Sequence, residues 1–169
     1  PANCRLIDPT EALLHAVSMS GESILLLAFE SADHPLQAWI DRALAICAEE
    51  GGSCKEGPVL RSEGEGTTMS AANAAYKESF FQAPYMQSAL VSLGIIADTF
   101  ETACTWDKFD ALHAAVSEAV VGAMKRVAGH GVLACRFTHV YPDGPAPYFT
   151  FLAPGERGRE LEQWSAIKQ

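Results

Sequence analysis

The sequence predicts an α+β fold in which a ferredoxin-like antiparallel sheet carries its helices on one face. Three observations support this prediction. Strand-like and helical runs alternate along the chain, apolar residues recur at every second position in the strand-like runs, and two of those runs form a β-hairpin. The chain has 169 residues, of which 49% are hydrophobic and 20% charged, as suits a single globular domain.

The first part of the chain contains two predicted strands and two predicted helices. Extended structure around Arg5–Ile7 precedes a short helix at Thr10–Leu14. The near-continuous apolar run Ser23–Ser31 is typical of a central strand. Asp33 is the predicted N-cap of the next helix, which ends at the glycine pair Gly51–Gly52.

The middle of the chain is predicted to be a polar loop, followed by helices and a strand. Gly57–Thr68 is polar and rich in glycine, whereas Ser70–Phe81 is rich in alanine and predicted to be helical. Pro84 is expected to break this helix, and a second short helix is predicted at Pro84–Leu93. Ile95–Trp106 alternates as a strand does.

The last part of the chain contains the longest predicted helix and the hairpin. Asp107 is the predicted N-cap of the long helix. The hairpin joins Leu133–Tyr141 to Tyr148–Leu152 through a turn with Asp-Gly and prolines, and an amphipathic helix with Trp164 follows. We predict the register in which paired residues of the two hairpin strands have numbers that sum to an even value. This register separates an apolar face from a hydrogen-bonding face, and a shift of one strand by one residue would mix the two sets of side chains. The predicted apolar face carries Cys135, Phe137, His139, Tyr141, Phe149 and Phe151, and the hydrogen-bonding face carries Arg136, Thr138, Tyr148 and Thr150.

The composition argues against several classes of protein. A formal net charge of −9 disfavours a nucleic-acid partner, which requires a basic surface. The longest apolar run, Ile24–Phe29, is too short for a transmembrane segment, and no signal peptide opens the chain. The five cysteines form no Cys-x-x-Cys motif and no zinc-like spacing, which predicts buried, reduced thiols in a cytoplasmic protein without a metal site.

Several motifs resemble those of one known family. They are CRFTHVYPDG at Cys135–Gly144, APYFTF at Ala146–Phe151, Phe100-Glu101-Thr102 with Trp106-Asp107, and the opening Pro1–Leu6. Together they resemble the C-terminal domain of the FAD-linked oxidases, the vanillyl-alcohol-oxidase type of flavoenzyme, and within it the alkyldihydroxyacetonephosphate synthases. The similarity runs from Pro1 to about Ala153, with an interruption around Gly57–Ser79.

The resemblance implies that residues 1–169 form the substrate-binding cap domain of a larger FAD-dependent enzyme. In that family the domain covers a flavin held by a separate FAD-binding domain, which is therefore the expected partner, together with a small-molecule or lipid-like substrate. The start at Pro1 and the end at Gln169, within a predicted helix, also predict a fragment that lacks this domain and a histidine-containing segment, and is inactive alone. The uncovered sheet face favours self-association, so a homo-oligomer is also expected.

Four candidate site residues follow from the resemblance and the hairpin register. Tyr148 matches the family's active-site tyrosine, whose phenol can act as an acid or base beside a flavin; the alternative is an ordinary strand tyrosine. Arg136 and Arg5 are expected to bind a substrate phosphate or carboxylate, unless their roles are structural. Glu101 points to the same side, where pairing with Arg136 or Arg5 is favoured over substrate binding.

Three more residues complete the predicted site. Thr138 and Thr150 lie on the hydrogen-bonding face and are expected to contact the cofactor, FAD. Gln87 stands where the nearest family members carry an arginine, and a glutamine cannot neutralise a carboxylate. The substrate is therefore expected to differ from the acylated dihydroxyacetone phosphate that the synthases use.

Three functions remain open from the sequence. The first is exchange of an acyl for an alkyl group in ether-lipid synthesis, which uses flavin without net redox. The second is oxidation of a 2-hydroxy acid, in which flavin accepts a hydride while Tyr148 or a histidine helps to remove the hydroxyl proton. The third is a stand-alone α+β binding module without chemistry. A glycine-rich flavin-binding domain upstream of Pro1 would exclude the third function, and its absence would exclude the first two.

Overall fold

The computed structural model describes residues 1–60 and 71–169, apart from the side chains of residues 71–73, 75, 76 and 80. Its elements are β1 (Asn3–Ile7), α1 (Pro9–Leu14), β2 (Ile24–Ala28), α2 (Gln37–Glu49), α3 (Ala71–Ser92), β3 (Ile95–Glu101), α4 (Trp106–Ala128), β4 (Val132–Val140), β5 (Pro145–Pro154) and α5 (Glu160–Ile167). The strands form one antiparallel sheet of five strands in the order β2-β1-β4-β5-β3. The predicted α+β fold is confirmed, while most of the predicted loop at Gly57–Thr68 lies outside the described residues.

The main core forms between the sheet and the helices α4 and α5. Met124 of α4 and Phe149 of β5 are fully buried, and Phe149 stacks on Phe100 of β3 with 5.1 Å between ring centroids. The C-terminal helix is fixed to β3 through Asp98, whose carboxylate accepts hydrogen bonds from the Trp164 indole at 2.8 Å and the Lys168 ammonium at 2.7 Å. These contacts make the sheet a rigid support, because a well-packed core resists deformation.

The short helix α1 contacts the opposite face of the sheet. Ala12 of α1 forms a buried cluster with Ile7 of β1 and Leu26 of β2. Ile7 is the cross-strand partner of Arg136, and such partners point to the same side of a sheet. The first helix therefore lies on the hydrogen-bonding face, beside Arg136.

Asp8 ties this helix to the middle of the sheet. Its Oδ1 caps α1 by accepting the Glu11 backbone N–H at 2.6 Å, and Pro9 takes the first helical turn, where a missing N–H costs nothing. Its Oδ2 accepts the Cys135 backbone N–H at 2.6 Å. One carboxylate thus fixes both the start of α1 and its position against β4.

The predicted register of the hairpin is confirmed from Val132 to Phe137. A bulge between Phe137 and His139 then shifts the pairing by one residue, and β4 ends at Val140. His139 and Tyr141 are exposed and their rings stack at 5.9 Å, so the prediction that they face the apolar core is wrong. The alternation is interrupted because a bulge adds one unpaired residue to a strand.

The apolar run near the start of the chain forms an edge strand, so the prediction of a central strand at Ser23–Ser31 is wrong. Among the described strands, β2 pairs only with β1, and Leu25 within it is 43% exposed. An apolar run shows that both faces of a strand lack charge. Its place in the sheet depends on the partners that distant segments supply.

The helix α2 begins later than the sequence predicts. Its N-cap is Leu36, which makes no side-chain capping bond. Asp33 instead accepts a hydrogen bond from the Ser31 hydroxyl at 2.9 Å and contacts His34 at 2.6 Å. The carboxylate that was predicted to cap the helix is hydrogen-bonded within a local turn instead.

Two other predicted boundaries are wrong in the structure. The helix α3 continues through Pro84 without the predicted break. A proline lacks the N–H that donates to the carbonyl four residues earlier, so α3 continues with one helical hydrogen bond fewer. Thr105, and not Asp107, occupies the N-cap of α4, so Asp107 falls in the first turn, where its charge still favours the helix.

The segment after β3 passes close to the hairpin turn. The strand β3 ends at Glu101, before its predicted end at Trp106, yet Thr102 and Cys104 still donate backbone hydrogen bonds to β5 at 3.1 and 3.3 Å. A Cβ atom at Gly144 would lie 1.8 Å from the Cys104 carbonyl oxygen. The turn therefore requires glycine for reasons of space.

We expect Gly144→Ala to destabilise the protein by about 1–3 kcal/mol, because the added methyl group must push two backbone segments apart. Thermal melting of the full-length protein measures this loss. Gly122→Ala is the matched control, since a Cβ there meets only Arg126 Nη1, at 3.4 Å, and alanine is favoured within a helix. A Gly144→Ala protein that melts no lower than wild type would contradict the close approach.

Three further properties bear on function. Among the described helices, none is long and apolar enough to span a bilayer. The described residues contain no cluster of side chains able to hold a metal ion. The five cysteines are free thiols in the structure, but Cys135 is buried and Cys54 is exposed, so the prediction that all five are buried is wrong.

Candidate functional site

A row of residues crosses the hydrogen-bonding face from one strand to the next. Glu101 of β3 pairs with Tyr148 of β5, Tyr148 with Arg136 of β4, and Arg136 with Ile7 of β1. Since directly paired residues share a face, the sheet brings a carboxylate, a phenol and a guanidinium together. Thr150, which pairs with Thr99, lies in the adjacent row.

Tyr148 lies at the centre of this row and is half-buried. Its hydroxyl donates to Thr99 Oγ1 at 2.9 Å. The Arg136 guanidinium carbon lies 4.1 Å from the centroid of its ring, a cation–π contact. The ring is held by one neighbour and the hydroxyl by another, so the phenol has a defined orientation.

Arg136 forms its ion pair with Glu11 of α1. Its Nη1 donates to Glu11 Oε1, and the same oxygen lies 3.1 Å from His15 Nε2. The Glu11 side chain is fully buried and that of Arg136 is 15% exposed. Glu101 was expected to pair with Arg136 or Arg5, and for Arg136 the structure corrects this expectation, because its acid comes from the first helix.

The ionisation of Glu11 follows from these contacts. Burial acts to raise its pKa, but the hydrogen bond with His15 and the charge of Arg136 lower it more, so the pKa lies below the usual glutamate value. For Asp8 burial prevails over hydrogen bonds from the backbone N–H groups of Glu11 and Cys135, and its pKa is raised. The carboxylate beside Arg136 is therefore charged at neutral pH.

Cys135 behaves as a structural thiol, although it adjoins Arg136. Burial, together with the charges of Asp8 and Glu11, raises the pKa of this thiol to about 12. The thiolate is the reactive form of cysteine, and the burial of this side chain disfavours it.

The other predicted site residues lie at varying distances from Tyr148 in the fold. Thr138 donates its hydroxyl to the Glu101 carboxylate, and also contacts the Ala146 carbonyl oxygen at 3.2 Å. Arg5 lies on β1 two residues before Ile7, and therefore on the hydrogen-bonding face. Gln87 is exposed on α3, outside the sheet.

Sequence reasoning missed Glu11 and Asp8. The segment Asp8-Pro9-Thr10-Glu11 has the spacing of a helix N-terminus with a capping carboxylate and an acid three residues later. That signal would have located the start of α1. It would not have revealed that Glu11 is buried against β4, because the contact joins residues 125 positions apart.

Comparison with known proteins identifies the family of this fold. Residues 1–168 match the family model described as FAD linked oxidases, C-terminal domain. The chain belongs to that family. No curated protein sequence gives a significant match.

Solved structures share the fold of this FAD-linked oxidase C-terminal domain. Two crystal structures of alkyldihydroxyacetonephosphate synthase, in P1 and P212121, superpose on it with TM-scores of 0.64 and 0.68. Their sequences are 17% and 16% identical to it, and each alignment covers 99% of this domain and 33% of the synthase chain. The domain thus spans a third of the length of proteins that are similar to it in fold.

Proposed function

We propose that this domain is the substrate-binding cap of a FAD-dependent enzyme and that its hydrogen-bonding face covers the flavin. The whole protein would exchange an acyl for an alkyl group, as the resemblance of its motifs to those of the alkyldihydroxyacetonephosphate synthases implies. Tyr148 would be the catalytic residue. The single observation that carries the proposal is the row in which a half-buried phenol is held between a guanidinium and a threonine hydroxyl.

The chemistry of the hydrogen-bonding face fits a flat, polar ring system. Around Tyr148 it offers the hydroxyls of Thr99, Thr138 and Thr150, beside the charged groups of Arg136 and Glu101. A flavin ring presents carbonyl oxygens and ring nitrogens, which accept hydrogen bonds from such groups. Thr138 and Thr150 are the residues that would contact the cofactor, with a separate domain holding most of it.

Bound FAD supplies an electrophilic and redox-active ring that side chains of this domain lack. The role proposed for Tyr148 is proton transfer at its phenolic oxygen, which already has a hydrogen-bond partner in Thr99 Oγ1 at 2.9 Å. Arg5 and Glu101, on the same face, would contact polar groups of the substrate. Gln87 would do so only if α3 adjoins the substrate, where its neutral amide would favour an uncharged group.

The proposed function is tested with full-length protein, whose flavin spectrum is first recorded. We expect bound flavin, and incorporation of a labelled long-chain alcohol into an acylated dihydroxyacetone phosphate in place of the acyl group. Lasting anaerobic bleaching of the flavin by a 2-hydroxy acid would instead support an oxidase. A full-length protein that purifies without flavin, and binds none when it is added, would contradict both reactions.

A further inference from the structure

Glu11 is a buried charge whose position is fixed from two sides. It sits in the first turns of α1, which Asp8 fixes to the backbone of β4 through a 2.6 Å hydrogen bond to Cys135 N–H. Its side chain is fully buried, and its Oε2 has no hydrogen-bond partner among the described residues. A buried carboxylate is costly to maintain unless it is paired, and here Arg136 and His15 share the other oxygen.

Arg136 is poorly placed to bind a substrate anion. A guanidinium binds carboxylate or phosphate with two adjacent N–H groups, either both Nη atoms or Nε with one Nη. One of the two N–H groups of its Nη1 donates to Glu11, and its Nε is buried without a partner among the described residues. Burial therefore closes the arrangement that uses Nε, and the other arrangement has one Nη already engaged, while the guanidinium carbon lies 4.1 Å from the centroid of the Tyr148 ring.

We infer that Glu11 is a positioning residue, which holds the Arg136 guanidinium over the ring of Tyr148 and so withholds Arg136 from direct binding of the substrate. This inference rests on the proposed function of Tyr148. Arg136 then acts on the phenol, by fixing the ring and placing a positive charge beside it. An anionic group of the substrate must be bound by other residues.

The inference is tested first without turnover. A 3-fluorotyrosine is incorporated at position 148 of the full-length flavoprotein, and its ¹⁹F resonance reports the charge over the ring. We expect Glu11→Gln to shift this resonance about as far as Arg136→Gln does, and the double variant to add little, because both changes remove the same contact. Glu118→Gln, the same change at an exposed position of α4, is the control and should leave the resonance in place.

Kinetics provide a second readout in the same variants. Arg136→Gln and Glu11→Gln should each lower kcat on the order of 10²-fold through misplacement of Tyr148, with KM changed less than about threefold. A KM raised tenfold or more at unchanged kcat would show that Arg136 binds the substrate, and would overturn the inference. An unmoved fluorine resonance in folded Glu11→Gln protein would overturn it as well.

A third variant covers the case in which Glu11→Gln does not fold. Replacing both charges with apolar residues, Glu11→Leu with Arg136→Met, removes the buried ion pair without leaving an unpaired charge. If the ion pair only stabilises the fold, this double variant should regain turnover; if the pair serves to hold Arg136 over Tyr148, turnover should stay low and the resonance shifted. Shifted resonances with normal turnover in every variant would contradict the proposed role of Tyr148, and not the positioning by Glu11.

Discussion

Tyr148→Phe is expected to lower the turnover of the full-length enzyme by roughly 10²–10⁴-fold, because it removes the hydroxyl proposed to transfer a proton. The fold should survive, since the ring and its contact with Arg136 remain. The lost hydrogen bond to Thr99 lies on a half-buried residue and should cost no more than about 1 kcal/mol. Steady-state kinetics and thermal melting, measured on one preparation, separate the two effects.

Two control variants make this experiment specific. Tyr85→Phe is the same chemical change on an α3 side chain that is 74% exposed, and should alter neither rate nor stability. Phe149→Ala removes a fully buried ring next to Tyr148 on the other face, and should cost about 3–5 kcal/mol of stability. Full activity with a lower melting temperature in Tyr148→Phe would mean that its hydroxyl serves the fold alone.

Glu11→Ala is expected to reduce the stability of the sheet by about 3–5 kcal/mol, because it leaves the largely buried guanidinium of Arg136 without its carboxylate. Hydrogen exchange of β4 peptides in the full-length protein measures this loss as a lower opening free energy. Glu22→Ala, at an exposed position, is the control and should change stability by less than about 0.5 kcal/mol. Equal exchange in the two variants would refute the importance of the ion pair.

The same ion pair predicts a dependence on pH. The pKa of Glu11 is lower in the folded than in the unfolded state, so its contribution is complete above the unfolded value of about 4.3 and is lost as the pH falls through the lower folded value. The gap in melting temperature between wild type and Glu11→Gln should therefore be constant near neutral pH and narrow below about pH 4. A difference in melting temperature that widens as the pH falls would mean that folding favours the protonated form of Glu11.

The sequence was sufficient to place Tyr148 and Arg136 on one face. A strand has a repeat of two residues, and in the hairpin a single register satisfied the apolar positions, so local pattern determined the pairing. The order of distant strands has no such local signal. The edge position of β2 and the partner of Arg136 depend on contacts across the whole chain, which alternation within one segment cannot reveal.

The predicted ends of helices are wrong where a residue can take part in more than one local structure. Asp33 is a good N-cap by type, yet it is engaged by Ser31 in a turn of its own. Pro84 is a good helix breaker by type, yet α3 tolerates it. In both cases the residue type sets a local preference, and the rest of the structure overrides it. The roles of Arg5, Glu101, Gln87, Thr138 and Thr150 toward a ligand stay predictions.

The contact between Glu11 and Arg136 also has a consequence for the order in which the chain folds. The two residues are 125 positions apart, and the Asp8 bond to Cys135 spans 127. While the ribosome is still synthesising the intervening segments, β1 can pair with β2 and Ala12 of α1 can pack on them, but Glu11 has no Arg136 to pair with. An acid destined for burial stays in water until β4 emerges, which makes docking of the first helix onto β4 a late and slow step. The N-terminal third is thus the part of the domain that most needs protection from aggregation during synthesis.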